Sequence, residues 1–148
     1  MSQDVYELMR RDHAFILAGI EQILEHTNGD TARRVKHFRD VKQTFDTLQN
    51  FEEQEFYPAA RRATGLDAEI DDDMEALDEA RGILASMDGL SPESSEFMEA
   101  AQRLHANFRW HANHEERALW NQAKEKLPHE TVQKLGDEYA RRKGLPLT

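Results

Sequence analysis

The 148-residue sequence predicts an all-α fold, an antiparallel up-down four-helix bundle with a short C-terminal helix, and three observations carry that prediction. Apolar residues recur three and four apart through four long segments, the spacing that gathers them on one face of a helix. The breaks between segments are short and rich in Gly, Pro, Asn and Ser, which punctuate helices. Long helices with short connections lie back against one another around a shared core.

The first helix runs from Val5 to about His26, with Tyr6, Met9, Ile16, Ile20 and Ile23 in one stripe and His13 in the same register. Thr27-Asn28-Gly29-Asp30 breaks it, and Asp30 is placed to cap a second helix that begins near Thr31. The second stripe is Phe38, Val41, Phe45, Leu48, Glu52, Phe56 and Ala59, and Pro58 is expected to bend or interrupt the helix. After Gly65 the acidic run from Asp67 to Asp73 opens a third helix, where first-turn acids complement the helix dipole. Its stripe is Ile70, Met74, Leu77, Ala80, Leu84 and Met87. The turn from Asp88 to Glu93 is read with Ser91 as N-cap and Pro92 at the first helical position. The fourth helix reaches about Lys126 and turns Phe97, Ala101, Leu104, Phe108, His111, Glu115 and Ala118 inward. Pro128 sets off the short last helix, with Val132, Leu135 and Tyr139 inward, and the stretch from Arg141 to Pro146 is expected to fray.

Length fits one domain spanning residues 1–148. A net charge of -10 argues against nucleic acid or an anionic membrane as partner. The absence of cysteine excludes disulfides, thiolate catalysis and cysteine-held clusters, which leaves imidazole and carboxylate as strong ligands. With no apolar N-terminal region and no run near the roughly 18 apolar residues of a spanning helix, the expected location is cytoplasmic.

A shift of 63 residues lays Phe51 to Tyr57 on His114 to Trp120, Val41 on Leu104 and Phe45 on Phe108, so the second and fourth helices read as copies of one unit. Glu52 and Glu115 coincide, whereas His111 falls on Leu48; the same shift sets His13 on Ala76, beside Leu77. Four ionisable residues thus lie in apolar register: His13, Glu52, His111 and Glu115. Two carboxylates in a dry core repel unless a cation or a proton lies between them, so the set reads as a metal site suited to iron, manganese or zinc. Asp73, one turn before Leu77, is a weaker ligand candidate that competes with a role in the helix's first turn. His105 and His114 are placed at the rim, His26 at a helix end, His129 in a loop, Glu53 and Glu116 on a solvated face, and Trp110 and Trp120 in packing. No phosphate-binding loop or nucleophile elbow is present, so nucleophilic catalysis is not expected.

With Asp12-His13 on the first helix, Phe51-Glu52-Glu53-Gln54-Glu55-Phe56-Tyr57-Pro58 on the second and His111-Ala112-Asn113-His114-Glu115-Glu116 on the fourth, the chain resembles the hemerythrin-like HHE cation-binding domains. The resemblance implies an up-down bundle holding a non-haem di-iron centre, with histidines on all four helices and two bridging carboxylates. It further implies binding or sensing of oxygen or nitric oxide, or a part in iron or redox responses. Carried over, the histidine ligands are His13 and His111 and the bridging carboxylates Glu52 and Glu115; the other two histidine positions hold Leu48 and Leu77. The expected function is a metal-binding protein with a ligand-reduced site holding one or two iron ions, its partners a metal ion or small diatomic ligand and a protein partner or second copy. The rivals are a metal-free bundle serving as a protein-interaction module and a carboxylate-bridged iron oxidase or peroxide-degrading enzyme.

Overall fold

The computed structural model describes residues 4–25 and 30–146. These residues form a helical bundle with no strand among them. The helices are α1 (Val5–Glu25), α2 (Thr31–Phe51), α3 (Tyr57–Thr64), α4 (Asp67–Asp88), α5 (Ser95–His114), α6 (Asn121–Lys126) and α7 (His129–Arg142). A π-helical turn, Glu52–Phe56, joins α2 to α3, and a second, Glu115–Trp120, joins α5 to α6. The second and fourth predicted helices are therefore long rods, each widened by one π turn. None of the described helices is long and apolar enough to cross a membrane.

α1 packs on α2 and α5, α4 packs on α5, and α7 lies against α1 with a smaller contact to α2. The predicted stripes supply the core: Met9, Ile16, Ile20, Val41, Phe45, Leu48, Ile70, Leu77, Phe97, Leu104 and Phe108 are all buried. Asp30 caps α2 as expected, accepting from the Arg33 amide at 3.2 Å. The Asn28-Gly29 break and His26 lie outside the described residues.

The expected start of α5 moves. Ser94, not Ser91, is the N-cap, accepting from the Phe97 amide at 3.1 Å. Ser91 instead shapes the preceding turn, its carbonyl accepting from the Ser94 amide, while the Pro92 carbonyl accepts from the buried Arg34 guanidinium at 2.7 Å. The C-terminal stretch does not fray through the described residues. Gly144 adopts a positive φ of 72°, its amide donates to the Arg141 carbonyl, and the Leu145 amide reaches the Ala140 carbonyl at 2.8 Å. Those two bonds satisfy carbonyls that a helix end otherwise leaves unpaired. Side chains add to the hold: Lys143 donates to both oxygens of Asp12, at 2.8 and 2.7 Å, and the Tyr139 hydroxyl donates to the same carboxylate. Asp12 precedes His13, so α7 pins the part of α1 that carries a candidate ligand.

α1 and α2 pack closely at Gly19, where an added Cβ would meet Val41 Cγ2 at 2.5 Å. Val41 is β-branched and 1% exposed, so it has little room to give. Gly19→Ala gains about 1 kcal/mol of helix propensity, whereas overpacking a core costs about 1–3 kcal/mol. We expect the overpacking to win and the melting temperature to fall by a few degrees; a rise in a thermal melt would show that the helices part freely there.

Candidate metal centre

His13 comes from α1, His111 from the last turn of α5, and Glu52 and Glu115 each open a π turn. One ligand atom from each of the four lies within 4.8 Å of all the others, and this buried His/Glu group could hold a metal ion. The two π turns begin at positions 63 apart, which is the period of the sequence repeat. In the first of them the Tyr57 amide donates to the Glu52 carbonyl, five residues back. A π turn admits one extra residue, and such turns concentrate at functional sites. The insertion also resets the inward face. Ala118, predicted inside, is only half-buried, and Leu119, Trp120 and Ala123 face the core in its place.

Glu52, His111 and Glu115 are fully buried and His13 nearly so. His13 Nε2 stands 3.4 Å from Glu115 Oε1, and His111 Nε2 lies 3.7 Å from Glu52 Oε1 and 3.8 Å from Glu115 Oε2. The Tyr57 hydroxyl sits between the two carboxyl groups, 2.6 Å from Glu115 Oε2 and 3.1 Å from Glu52 Oε2. Among the described residues, Glu52 Oε1, Glu115 Oε1 and both nitrogens of each imidazole have no hydrogen-bond partner. Buried polar atoms are nearly always paired, so four residues turning unpaired donor atoms toward one point form a group that could hold a cation. Two imidazoles and two carboxylates fit iron, manganese or zinc.

Electrostatics agree with that reading. Burial pushes the Glu52 carboxyl up to about 7, with Asp73's charge adding to the shift. Burial and then the charge of Glu52 push Glu115 well above the carboxylate range. Burial pushes His111 down. A divalent cation would reverse the shifts of the two carboxyls and reinforce that of His111, because it favours the deprotonated form of every ligand.

Each imidazole also has a carboxylate behind it. His13 Nδ1 faces Glu116 Oε2 at 3.6 Å, and Arg10 holds Glu116 on its outer side at 3.2 Å. The neighbouring His13 and then Arg10 lower the Glu116 carboxyl. His111 Nδ1 faces Asp73 Oδ1 at 3.6 Å. Outer carboxylates of this kind orient a metal-bound imidazole and fix its tautomer.

Several sequence expectations are corrected here. Asp73 is not a first-turn acid: Asp67 and Glu69 occupy the first turn of α4, and Asp73 is fully buried one turn further on. It lies behind His111 and outside the four-residue group. His114 is partly exposed, as a rim residue would be, but its Nδ1 bonds the buried Asp73 Oδ1 at 2.7 Å. Trp110 is no packing residue; it is 48% exposed and stacks on His114. Trp120, by contrast, packs as expected: it is buried and stacks on His13, 5.5 Å between centroids. His129 opens α7 instead of lying in a loop. Glu53 binds Arg81 at 2.6 Å on the surface, as a solvated acid would, and His105 pairs with Glu21 at 3.1 Å. Leu48 and Leu77 are fully buried and offer nothing to a metal. Tyr57 was not singled out from the sequence, although it stands five residues after Glu52, where a π turn carries it back over that residue.

No family model matches this chain, and no curated protein or solved structure matches it.

Proposed function

We propose that this chain is a hemerythrin-like metal-binding protein. In this reading α1, the α2–α3 rod, α4 and the α5–α6 rod form an antiparallel up-down four-helix bundle around non-haem iron held by His13, Glu52, His111 and Glu115. The observation that carries it is the convergence of four buried side chains from three segments with their donor atoms unpaired. Iron with open coordination positions supplies binding of oxygen or nitric oxide, or a change of oxidation state. The chain's residues do the rest: Tyr57 holds the outer oxygens of both glutamates, Glu116 and Asp73 back the two imidazoles, and the apolar surround keeps bulk water out. The buried leucines at 48 and 77 favour one ion over a pair.

Metal content by mass spectrometry, with the ultraviolet-visible spectrum of protein expressed in iron-supplemented medium, tests the proposal. About one iron per chain is expected, and a chain carrying no metal overturns it. Leu48→His combined with Leu77→His is expected to raise the metal content of the folded protein above that of the wild type. An unchanged content would show that those positions do not face the centre.

A further inference from the structure

We infer that Asp73, His114 and Trp110 form a buttress running from solvent to His111, and that Asp73 and His114 are positioning residues which set how tightly the centre holds its cation. The inference rests on the metal-binding reading above. Asp73 is fully buried on α4, and its Oδ1 receives His114 Nδ1 at 2.7 Å while facing His111 Nδ1 at 3.6 Å. Its second oxygen has no partner among the described residues. The carboxylate is therefore held on one side by His114 and faces His111 on the other.

The two histidines divide the work because of their spacing on α5. His111 turns Nε2 toward Glu52 and Glu115 and Nδ1 toward Asp73. An imidazole that binds a cation through Nε2 keeps its proton on Nδ1, and here that proton points at a carboxylate. His114, three residues on, reaches the same carboxylate from a neighbouring position on the helix. Trp110, four residues before His114, lies flat against that ring, with 4.6 Å between centroids and 11° between planes. An indole left 48% exposed gains little from burial, so its effect falls on what it covers. It shields the His114–Asp73 bond, which is stronger in low dielectric than in water.

The His13 side is built differently. Its backing carboxylate, Glu116, is 31% exposed in the side chain and shared with Arg10, and Trp120 stacks on the imidazole directly. Support at His111 is buried, and the stronger effect of support on metal affinity belongs there.

Cobalt(II) titrated into the chelated full-length chain, followed by its d–d absorption, reads both affinity and coordination. His114→Ala is expected to weaken cobalt binding roughly 10- to 100-fold. His114→Asn keeps an amide N–H near the position of Nδ1–H and is expected to recover most of that loss. Trp110→Ala is expected to fall between His114→Ala and the wild type, with Trp110→Phe losing less because a ring still covers His114. A purely structural role would instead lower the melting temperature of the metal-free variants while folded protein bound cobalt as the wild type does. That outcome overturns the buttress and leaves the metal site standing. A changed d–d spectrum in Asp73→Asn matching loss of a ligand would make Asp73 a ligand and overturn its positioning role. Wild-type protein that binds no cobalt overturns both readings.

Discussion

Glu115→Gln is expected to raise the melting temperature of the metal-free protein by roughly 5–10 °C at pH 8 and to abolish the further rise that iron or cobalt gives the wild type. Glu115 is fully buried beside Glu52 and shares the Tyr57 hydroxyl with it. In the unfolded chain a glutamate titrates near 4.3, so at pH 8 the folded protein must either bury an anion or keep a proton that the solvent no longer supplies. While the proton is kept, the cost grows by about 1.4 kcal/mol per pH unit, and it levels off once the folded carboxyl ionises. Glutamine has the same shape without the charge, and its carbonyl can still accept from Tyr57. A net gain of about 2–3 kcal/mol remains after allowing for imperfect amide pairing. The amide is a poor metal ligand beside a carboxylate, so the gain comes with loss of the site. Glu115→Ala separates charge from volume: it leaves a cavity and an unpartnered hydroxyl, and its melting temperature should fall. His111→Ala should likewise erase most of the metal-dependent rise. If glutamine destabilised the metal-free chain as alanine does, the carboxylate would be there for the fold and the metal reading would lose its main support.

That opposition between stability and the proposed function is why the candidate ligands can be picked out in sequence. His13, Glu52, His111 and Glu115 stood out because apolar periodicity fixes which positions face inward, and an ionisable group at such a position is a conspicuous exception. The helical architecture was legible for the same reason. The π turns were not, because a constant 3.6-residue period was assumed on both sides of Glu52 and Glu115. The departure appears only beyond each glutamate: Leu119 and Trp120 are buried as expected, but Ala118, read as inward, is half-buried, and Tyr57 goes unnoticed. The repeat held the clue, since Tyr57 and Trp120 are equivalent positions and each adjoins the site, one on the glutamates and the other on His13. The pairing of the backing residues is illegible for a different reason, although Asp73 itself is a ligand candidate in the sequence. His114 meets Asp73 across 41 residues of chain, and Lys143 meets Asp12 across 131. Local pattern carries no record of such pairs, so neither the bond of His114 to Asp73 nor the hold on the C-terminal stretch can be read from it.

The metal-free and metal-loaded proteins should respond to pH in opposite directions. In the metal-free chain Glu52 is pushed up to about 7, Asp73 up to about 6 and Glu115 further above its ordinary range, burial being the largest cause in each case. Groups raised in this way bind more protons folded than unfolded, so their contribution is fully present below their unfolded values and is lost as pH rises through the folded ones. His111 is lowered, again chiefly by burial, and acts in the other sense: its contribution is present above its ordinary value and lost as pH falls through the folded one. Three carboxyls against one imidazole give a net fall in stability between about pH 5 and pH 8. Glu52 alone accounts for about 3 kcal/mol of it, or roughly 6–12 °C in melting temperature for a chain of this size. The loaded protein has the reverse preference, because a cation competes with protons for the same four side chains and binds more tightly as they deprotonate. The rise produced by metal should therefore be small at pH 5 and largest near pH 8, where the metal-free chain is weakest. Thermal melts of chelated and iron-loaded protein across that range decide the matter. A metal-free melting temperature that climbs from pH 5 to pH 8 would mean that the buried glutamates ionise without penalty. A metal-induced rise that stays constant across the range would place the bound ion on groups other than these four.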